Sequence, residues 1–283
     1  MAKNLHVIAQ GFNNQVDVYE DVRPSYPRVA VEFLANELGF NDKSKRKVVV
    51  ELGSGTGKFT RLLIPYMQEQ KSDGGGAIEK LIAVEPSLQM RQKLLEVIKS
   101  ENTLIQVLDG NGENIPAESH SVDTVVAAQA FHWFATMKTL EEIHRVLKPG
   151  GKFLCIWNLL DDRVEWVRQF RDLFERYESG SPQYRLMKWR TVFDDEDHGR
   201  RFTYPLKEKH FHWTWQNRTP DQIWNELLSK SYVSAMNKTE QDSLKMEVDN
   251  LLDKNLKIYG NNPNDKRVEV PYNTDLAWTQ VNK

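Results

Sequence analysis

Residues 48–60 read VVVELGSGTGKFT. Three successive valines with no polar alternation describe a strand buried on both faces, which is a strand of a parallel sheet. Parallel strands need crossover connections, usually helices, so this stretch predicts alternating strands and helices around it. Gly53, Gly55 and Gly57 then predict a tight loop, bare of side chains, at the strand's carboxyl end. That is where open α/β sheets bind their ligands.

The flanking sequence follows this prediction. RVAVEFLANELG (28–39) fits a helix closed by Gly39. After the loop, GKFTRLLIPYMQ begins a helix, LIAVEP (81–86) is a second strand, and SLQMRQKLLEVIKS is a helix with Ser87 as its N-cap. LIQVLDG (104–110), VDTVVAAQA (122–130) and KFLCIWNL (152–159) are further strands, and KTLEEIHRVLKPGG is a helix stopped by Pro149 and the Gly150–Gly151 pair. The expected fold class is α/β, a doubly wound, mostly parallel sheet. Beyond residue 160 the pattern changes. Trp166, Phe170, Leu173 and Tyr177 recur at helical spacing, and KHFHWTWQ (209–216) alternates as a strand. Thr219 and Gln222 form a capping box ahead of a helix to about Met236, another helix runs from Glu240 to about Leu256, and RVEVPYNTDLAWTQV closes the chain as a strand. The expected organisation is one domain over 1–283. It has an N-terminal arm and helix (1–40), a ligand-binding core (41–160) and a substrate-shaping part (161–283).

Three kinds of ligand use glycine loops after a strand. A nucleotide-phosphate loop, GxxxxGK[ST], would need glycine at Leu52 and a hydroxyl at Phe59 to meet magnesium. The dinucleotide fingerprint GxGxxG fails at its third glycine, which falls on Lys58. What remains is GxGxG, whose backbone can pass under a compact amino-acid-plus-nucleoside ligand with no pyrophosphate. Glu85, at the end of the second strand, can accept both hydroxyls of a ribose; dinucleotide enzymes use such a carboxylate too.

Charge excludes some partners. Lys+Arg 38 against Asp+Glu 40 gives a net charge of -2, with no basic excess to suggest nucleic acid. No apolar run approaches the roughly 20 residues of a membrane span, and the opening MAKNLHVIAQ lacks the apolar stretch of a secretory leader. A cytoplasmic protein with a small-molecule substrate is expected. Its single cysteine, Cys155, rules out an internal disulfide.

The order of these elements resembles the class I S-adenosylmethionine-dependent methyltransferases: a GxGxG strand, an acidic second strand, the DGNGENIP turn, then HWF and LKPGG. RPSYP ahead of the first strand is similar to the small-molecule group that includes trans-aconitate and cantharidin methyltransferases. The resemblance covers about residues 10–160 and implies a Rossmann-like fold with S-adenosylmethionine as cofactor. It places Glu51 near the methionine ammonium. Asn111 stands where the family usually has an acidic residue touching the adenine amino group, with Gly112 and Glu113 beside it; Asp109 is the alternative under a shifted reading. Pro86 follows Glu85 beside the adenosine. Gln129 and Ala130 flank the methyl-transfer point with backbone contacts.

The local aromatic signal is His132-Trp133-Phe134. Trp133 can line the substrate pocket, because cations favour ring faces. His132 is the candidate catalytic group, as general base or hydrogen-bond donor. In the arm, Tyr19 can bond the methionine carboxylate and Arg23 can pair with a substrate carboxylate. No metal site is expected, since His210 and His212 lack a third ligand. The expected reaction is O-methylation of a small organic acid. The rivals are methylation of a phenol or amine, a NAD(P)-dependent oxidoreductase, and a catalytically inactive binding protein on the same fold.

Overall fold

The computed structural model describes residues 22–67, 76–98, 104–178, 180–194, 201–260, 262 and 264–282. Helix α1 (Arg28–Leu38) ends at Gly39, whose left-handed φ of 72° suits a residue without Cβ. Strand β1 (Lys47–Leu52) follows, then a short helix α2 (Thr60–Leu63). The expected helix does not continue as α beyond Leu63. Pro65 has no N–H to donate, and Ile64–Tyr66 tighten into a 3-10 turn instead.

Strand β2 (Ile78–Val84) leads to α3 (Leu88–Val97), where the Ser87 hydroxyl caps the Met90 N–H. Strands β3 (Ile105–Leu108) and β4 (Val122–Ala128) come next, then α4 (Met137–Val146). Here the structure corrects the expected helix end. Leu147 is already extended (ψ 137°) and Lys148, Pro149 and Gly150 belong to strand β5 (Leu147–Leu160). A residue preceding proline is pushed out of the helical region, which moves the boundary back.

The remaining elements are α5 (Glu165–Glu175), β6 (Lys207–Arg218), α6 (Pro220–Leu228), α7 (Ser231–Ser234), α8 (Lys238–Asp253), β7 (Lys257–Ile258) and β8 (Lys266–Gln280). The Thr219–Gln222 capping box is present, and a second, Asn237 with Glu240, starts α8 two residues before the expected position. The strand order is β3-β2-β1-β4-β5-β8-β6, with β7 paired to β8. Strands β3, β2, β1, β4 and β5 pair in parallel. The order reverses between β1 and β4, the switch point at which such sheets open a crevice.

The chain divides into two compact units, the division falling within β5, β6 and β8. The first holds residues 25–157, 182–210 and 275–283. Its core packs Val50, Leu52, Val125, Phe131, Phe153 and Trp157. The second holds residues up to 24, 158–181 and 211–274, around Phe170, Phe174, Leu227, Val248 and Tyr272. Trp213 and Trp215 pack against this second core. No helix among the described residues is long and apolar enough to cross a membrane.

Candidate active site

The glycine loop lies in the first unit, at the carboxyl end of β1. Gly53, Gly55 and Gly57 all take positive φ, at 67°, 54° and 86°. The reasons differ. A Cβ on Gly53 would lie 2.7 Å from the Ala130 Cβ, so the loop and the end of β4 touch. A Cβ on Gly55 would meet nothing within 4 Å, so this peptide borders open space. The Gly53 N–H bonds to Val84 O at 2.9 Å, which ties the loop to β2.

Two carboxylates are buried around the loop. Glu85 accepts the Gly55 N–H on Oε2 (3.0 Å) and the Ser87 N–H on Oε1 (2.9 Å). Each oxygen keeps a further lone pair, enough for the two hydroxyls of a ribose. Burial raises its pKa, and the two backbone donors offset part of the rise. Glu51 is only 1% exposed. Its Oε2 accepts from the Thr60 hydroxyl at 2.6 Å. Burial pushes its pKa up to about 8; the Thr60 bond opposes this and the Glu85 charge adds to it. Protonated, Glu51 is neutral; ionised, it can take an ammonium. The Ser54 hydroxyl oxygen is buried with no hydrogen-bond partner among the described residues. An open glycine face, two carboxylates with spare acceptor capacity and an orphaned hydroxyl fit a nucleoside carrying an amino acid.

The third and fourth strand ends complete the rim. Asn111 is exposed, and its Oδ1 accepts the Glu113 N–H at 2.9 Å in a local turn. Glu113 in turn accepts from the Thr136 hydroxyl at 3.0 Å. Gly112 is buried; a Cβ there would sit 2.7 Å from both Phe134 Cδ2 and Thr139 Oγ1. Asp109 pairs with Arg91 at 2.9 Å, which commits it to the surface beside α3. Pro86 is partly exposed next to Glu85. Gln129 adopts φ 54°, uncommon for a residue with a Cβ, and its N–H bonds Ile156 O at 2.8 Å. This twist turns the chain at the end of β4 into the 3-10 turn Phe131–Trp133.

In that turn Phe131 is core, ringed by Phe153, Phe193 and Trp189. Trp133 is half-buried and tilts against His132 with ring centroids 5.4 Å apart. His132 keeps part of its surface open while burial of the rest pushes its pKa down to about 3. Trp157 Nε1 donates to His132 Nδ1 at 3.1 Å. An indole nitrogen can only donate, so Nδ1 is the acceptor and the ring proton sits on Nε2.

The structure thus brings Glu51, Gly53, Gly55, Gly57, Glu85, Pro86, Asn111, Gly112, Glu113, Gln129, Ala130, His132 and Trp133 into one unit. Arg23 belongs to the other unit, where its Nε donates to the Ser229 hydroxyl at 2.7 Å. It lies near Lys230, whose pKa falls to about 8 through burial and then the Arg23 charge. Tyr19 lies outside the described residues. Two residues escaped the sequence reading: Thr60, the partner of Glu51, and Trp157, the partner of His132. For Thr60 a hydroxyl heading the helix after the loop was a usable signal; for Trp157, at the end of an apolar strand, there was none.

Fold and site together define a class I methyltransferase. The methyltransferase-domain family profile matches residues 50–155. An uncharacterised methyltransferase-like protein of Schizosaccharomyces pombe is 30% identical over 243 residues, 85% of each chain. An uncharacterised methyltransferase of Mycobacterium bovis is 34% identical over 165 residues, 58% of this chain and 59% of that one. Among solved structures, a Haemonchus contortus phosphoethanolamine N-methyltransferase in complex with S-adenosylhomocysteine superposes with a TM-score of 0.51. It is 15% identical, over 96% of this chain and 58% of that one, a likeness of fold. The chain belongs to the methyltransferase family, and S-adenosylmethionine is its methyl donor.

Proposed function

We propose that the protein O-methylates the carboxylate of a small organic acid, the acceptor class that its resemblance to the trans-aconitate and cantharidin methyltransferases implies. The observation that carries this reading is the state of His132. With Nδ1 accepting from Trp157 and its pKa near 3, it does not take a proton at neutral pH. A phenol or ammonium acceptor needs a base; a carboxylate is already ionised at pH 7. The Nε2–H of His132 suits a carboxylate instead, donating to one oxygen while the other attacks.

The remaining roles follow the same geometry. Gly53, Gly55 and Gly57 carry the cofactor over bare backbone, Glu85 holds the ribose, and Glu51 takes the methionine ammonium. Pro86, Asn111, Gly112 and Glu113 border the adenosine, and Gln129 and Ala130 border the methyl. Trp133 lines the acceptor site. Arg23 is proposed as a substrate anion partner and Tyr19 as a partner of the methionine carboxylate. Bound S-adenosylmethionine supplies a methyl on a sulfonium, a good leaving group. The protein's share is alignment and exclusion of water, worth effective molarities on the order of 10⁵–10⁸ M.

The test is a mass-spectrometric screen of methyl transfer onto mono-, di- and tricarboxylic acids, phenols and amines, with a pH–rate profile for each productive acceptor. Methyl esters and, at saturating S-adenosylmethionine, a rate flat from about pH 6 to 8 are expected, since the nucleophile is ionised throughout. Phenols or amines as the sole acceptors, with a rate climbing steeply above pH 8, would overturn the carboxylate reading.

A further inference from the structure

We propose that Trp157 is a positioning residue of the methyl-transfer site, which fixes His132 as a neutral Nε2–H donor and is itself locked by Tyr184. The inference rests on the donor role assigned to His132 above. It adds the device that enforces that role, and nothing in the sequence motifs contains it.

The geometry has three parts. First, Trp157 is fully buried within β5, and its Nε1 donates to His132 Nδ1 at 3.1 Å. An imidazole has two neutral tautomers, and which one forms depends on the bond its other nitrogen makes. A donor-only partner on Nδ1 leaves a single tautomer. The same bond disfavours the imidazolium, because a protonated Nδ1 would face an indole N–H with no lone pair between them. Second, the indole cannot turn away. Trp157 stacks on Tyr184 with centroids 4.3 Å apart and planes 25° apart, and Trp189 packs against it at 4.7 Å, tilted by 38°. Third, Tyr184 is tethered. Its hydroxyl donates to Asp275 Oδ2 at 2.9 Å, and Asp275 Oδ1 pairs with His210 Nδ1 at 2.7 Å. Burial, with the Asp275 charge adding to it, raises the Tyr184 pKa, so the phenol stays protonated and remains a donor. The ionisable groups around the stack are Asp275, His210, Glu208 and Arg190, the last with its guanidinium 5.5 Å from the Trp189 ring centroid, and Trp133 flanks the imidazole itself. A histidine in an apolar turn would otherwise be free to exchange tautomers.

The experiment is ¹⁵N and ¹³C NMR of the His132 imidazole in the full-length protein, without acceptor, between about pH 5 and 8. The wild type should show one tautomer, protonated at Nε2, with no titration in that range. Replacing Trp157 by β-(3-benzothienyl)alanine keeps the bicyclic ring and its stacking but deletes the N–H. Both tautomers should then appear. W157F should do the same. Tyr184→Phe keeps the stack and deletes the Asp275 bond; the Trp157 indole N–H should then exchange with solvent at least about tenfold faster. Affinity for S-adenosylmethionine, read by calorimetry, should stay within about threefold of wild type in all three.

An unchanged tautomer after removal of the N–H would overturn the proposal. So would loss of cofactor affinity and fold in both Trp157 variants, which would make Trp157 a packing residue only. The readout needs no turnover, so it separates from the acceptor assignment. A locked tautomer in a protein that methylates no acid would sink the carboxylate reading and leave Trp157 in place. With an acid that does turn over, W157F should lower kcat about tenfold while KM for S-adenosylmethionine holds.

Discussion

Glu51→Gln should make the ligand-free protein more stable and a far weaker cofactor binder, and the gain should depend on pH. Glu51 titrates at about 8 in the folded chain against 4.5 for an ordinary glutamate. Its folded pKa is raised, so the native state binds the proton more tightly than the unfolded chain does. Below 4.5 both states hold the proton and burial carries no penalty. As pH rises from 4.5 to 8 the unfolded chain releases it first, and stability falls by up to 1.36 kcal/mol per pH unit. At pH 7, two and a half units above 4.5, the penalty is roughly 3 kcal/mol. Glutamine has the same shape, carries no such proton and can still accept the Thr60 bond. Urea unfolding of both proteins at pH 4.5 and pH 7 should therefore give a gain of roughly 3 kcal/mol at pH 7 that disappears at pH 4.5.

The binding side must move oppositely. Glu51 has to release its proton to meet an ammonium, so wild-type affinity for S-adenosylmethionine should rise between about pH 5.5 and 7.5, with proton release visible as buffer-dependent binding enthalpy. Glu51→Gln should abolish the proton release and weaken binding by roughly 1.5–3 kcal/mol, the range for a hydrogen bond to a charged group. An equal stability gain at both pH values would refute the buried-proton reasoning. Retained proton release in the variant would show that another group supplies it.

Gly55→Asp should fail to bind S-adenosylmethionine, because its Cβ meets no protein atom within 4 Å and its carboxylate fills the ligand's space, while its left-handed φ costs the fold about 1–2 kcal/mol; unchanged affinity in a calorimetric titration would place the cofactor elsewhere. Gly53→Ala should do the reverse damage, destabilising the fold by about 1–3 kcal/mol in thermal or urea unfolding, because its Cβ would press on Ala130 in a left-handed conformation. Glu85→Ala should weaken S-adenosylmethionine and S-adenosylhomocysteine alike, by roughly 1.5–3 kcal/mol, since both share the ribose; a loss confined to the methylated form would make Glu85 a sensor of the sulfonium. Arg23→Ala should raise KM for a productive acid by roughly tenfold or more if the guanidinium meets the acceptor, and an unchanged KM would confine Arg23 to its bond with Ser229.

The parts of the fold and site that could be read from the sequence were those fixed by local chemistry. The valine run, the three glycines, Glu85 at a strand end, Gly39 after a helix and the Thr219 capping box each act within a few residues, so linear order suffices. The Asn237–Glu240 box was equally local and was passed over. Proline moves two helix ends earlier than the pattern predicts: Pro65 cuts a helix off at Leu63, and ahead of Pro149 the residues Leu147 and Lys148 already belong to a strand. What linear order could not supply was pairing through space. His132 stands out in the sequence as a polar residue in an aromatic turn, but base or donor depends on Trp157, 25 residues on and on the neighbouring strand. Glu51 was placed by its position at a strand end; that it carries a proton near neutral pH follows from its burial and from Glu85 nearby.

These charge states bear on the proposed reaction as a whole. With S-adenosylmethionine bound, Glu51 is ionised against the methionine ammonium, Glu85 is held by two backbone donors at the ribose, and His132 is uncharged. The group proposed to meet the acceptor, His132, therefore adds no charge of its own. Methyl transfer from a sulfonium to a carboxylate gives a thioether and an ester, so one positive and one negative charge vanish together. In water both ions are well solvated and that solvation is lost on the way to the transition state. In a low-dielectric site the attraction between them is stronger and less solvation remains to be given up. Methylation of a neutral amine has no such advantage, because the positive charge merely moves to nitrogen. A low-dielectric site thus favours the same acceptor as the blocked base. A productive enzyme with a restored imidazole base, obtained by removing the Trp157 N–H, should still prefer acids over phenols for that reason. A switch of preference to phenols in that variant would mean that the base alone, and not the dielectric of the site, selects the acceptor.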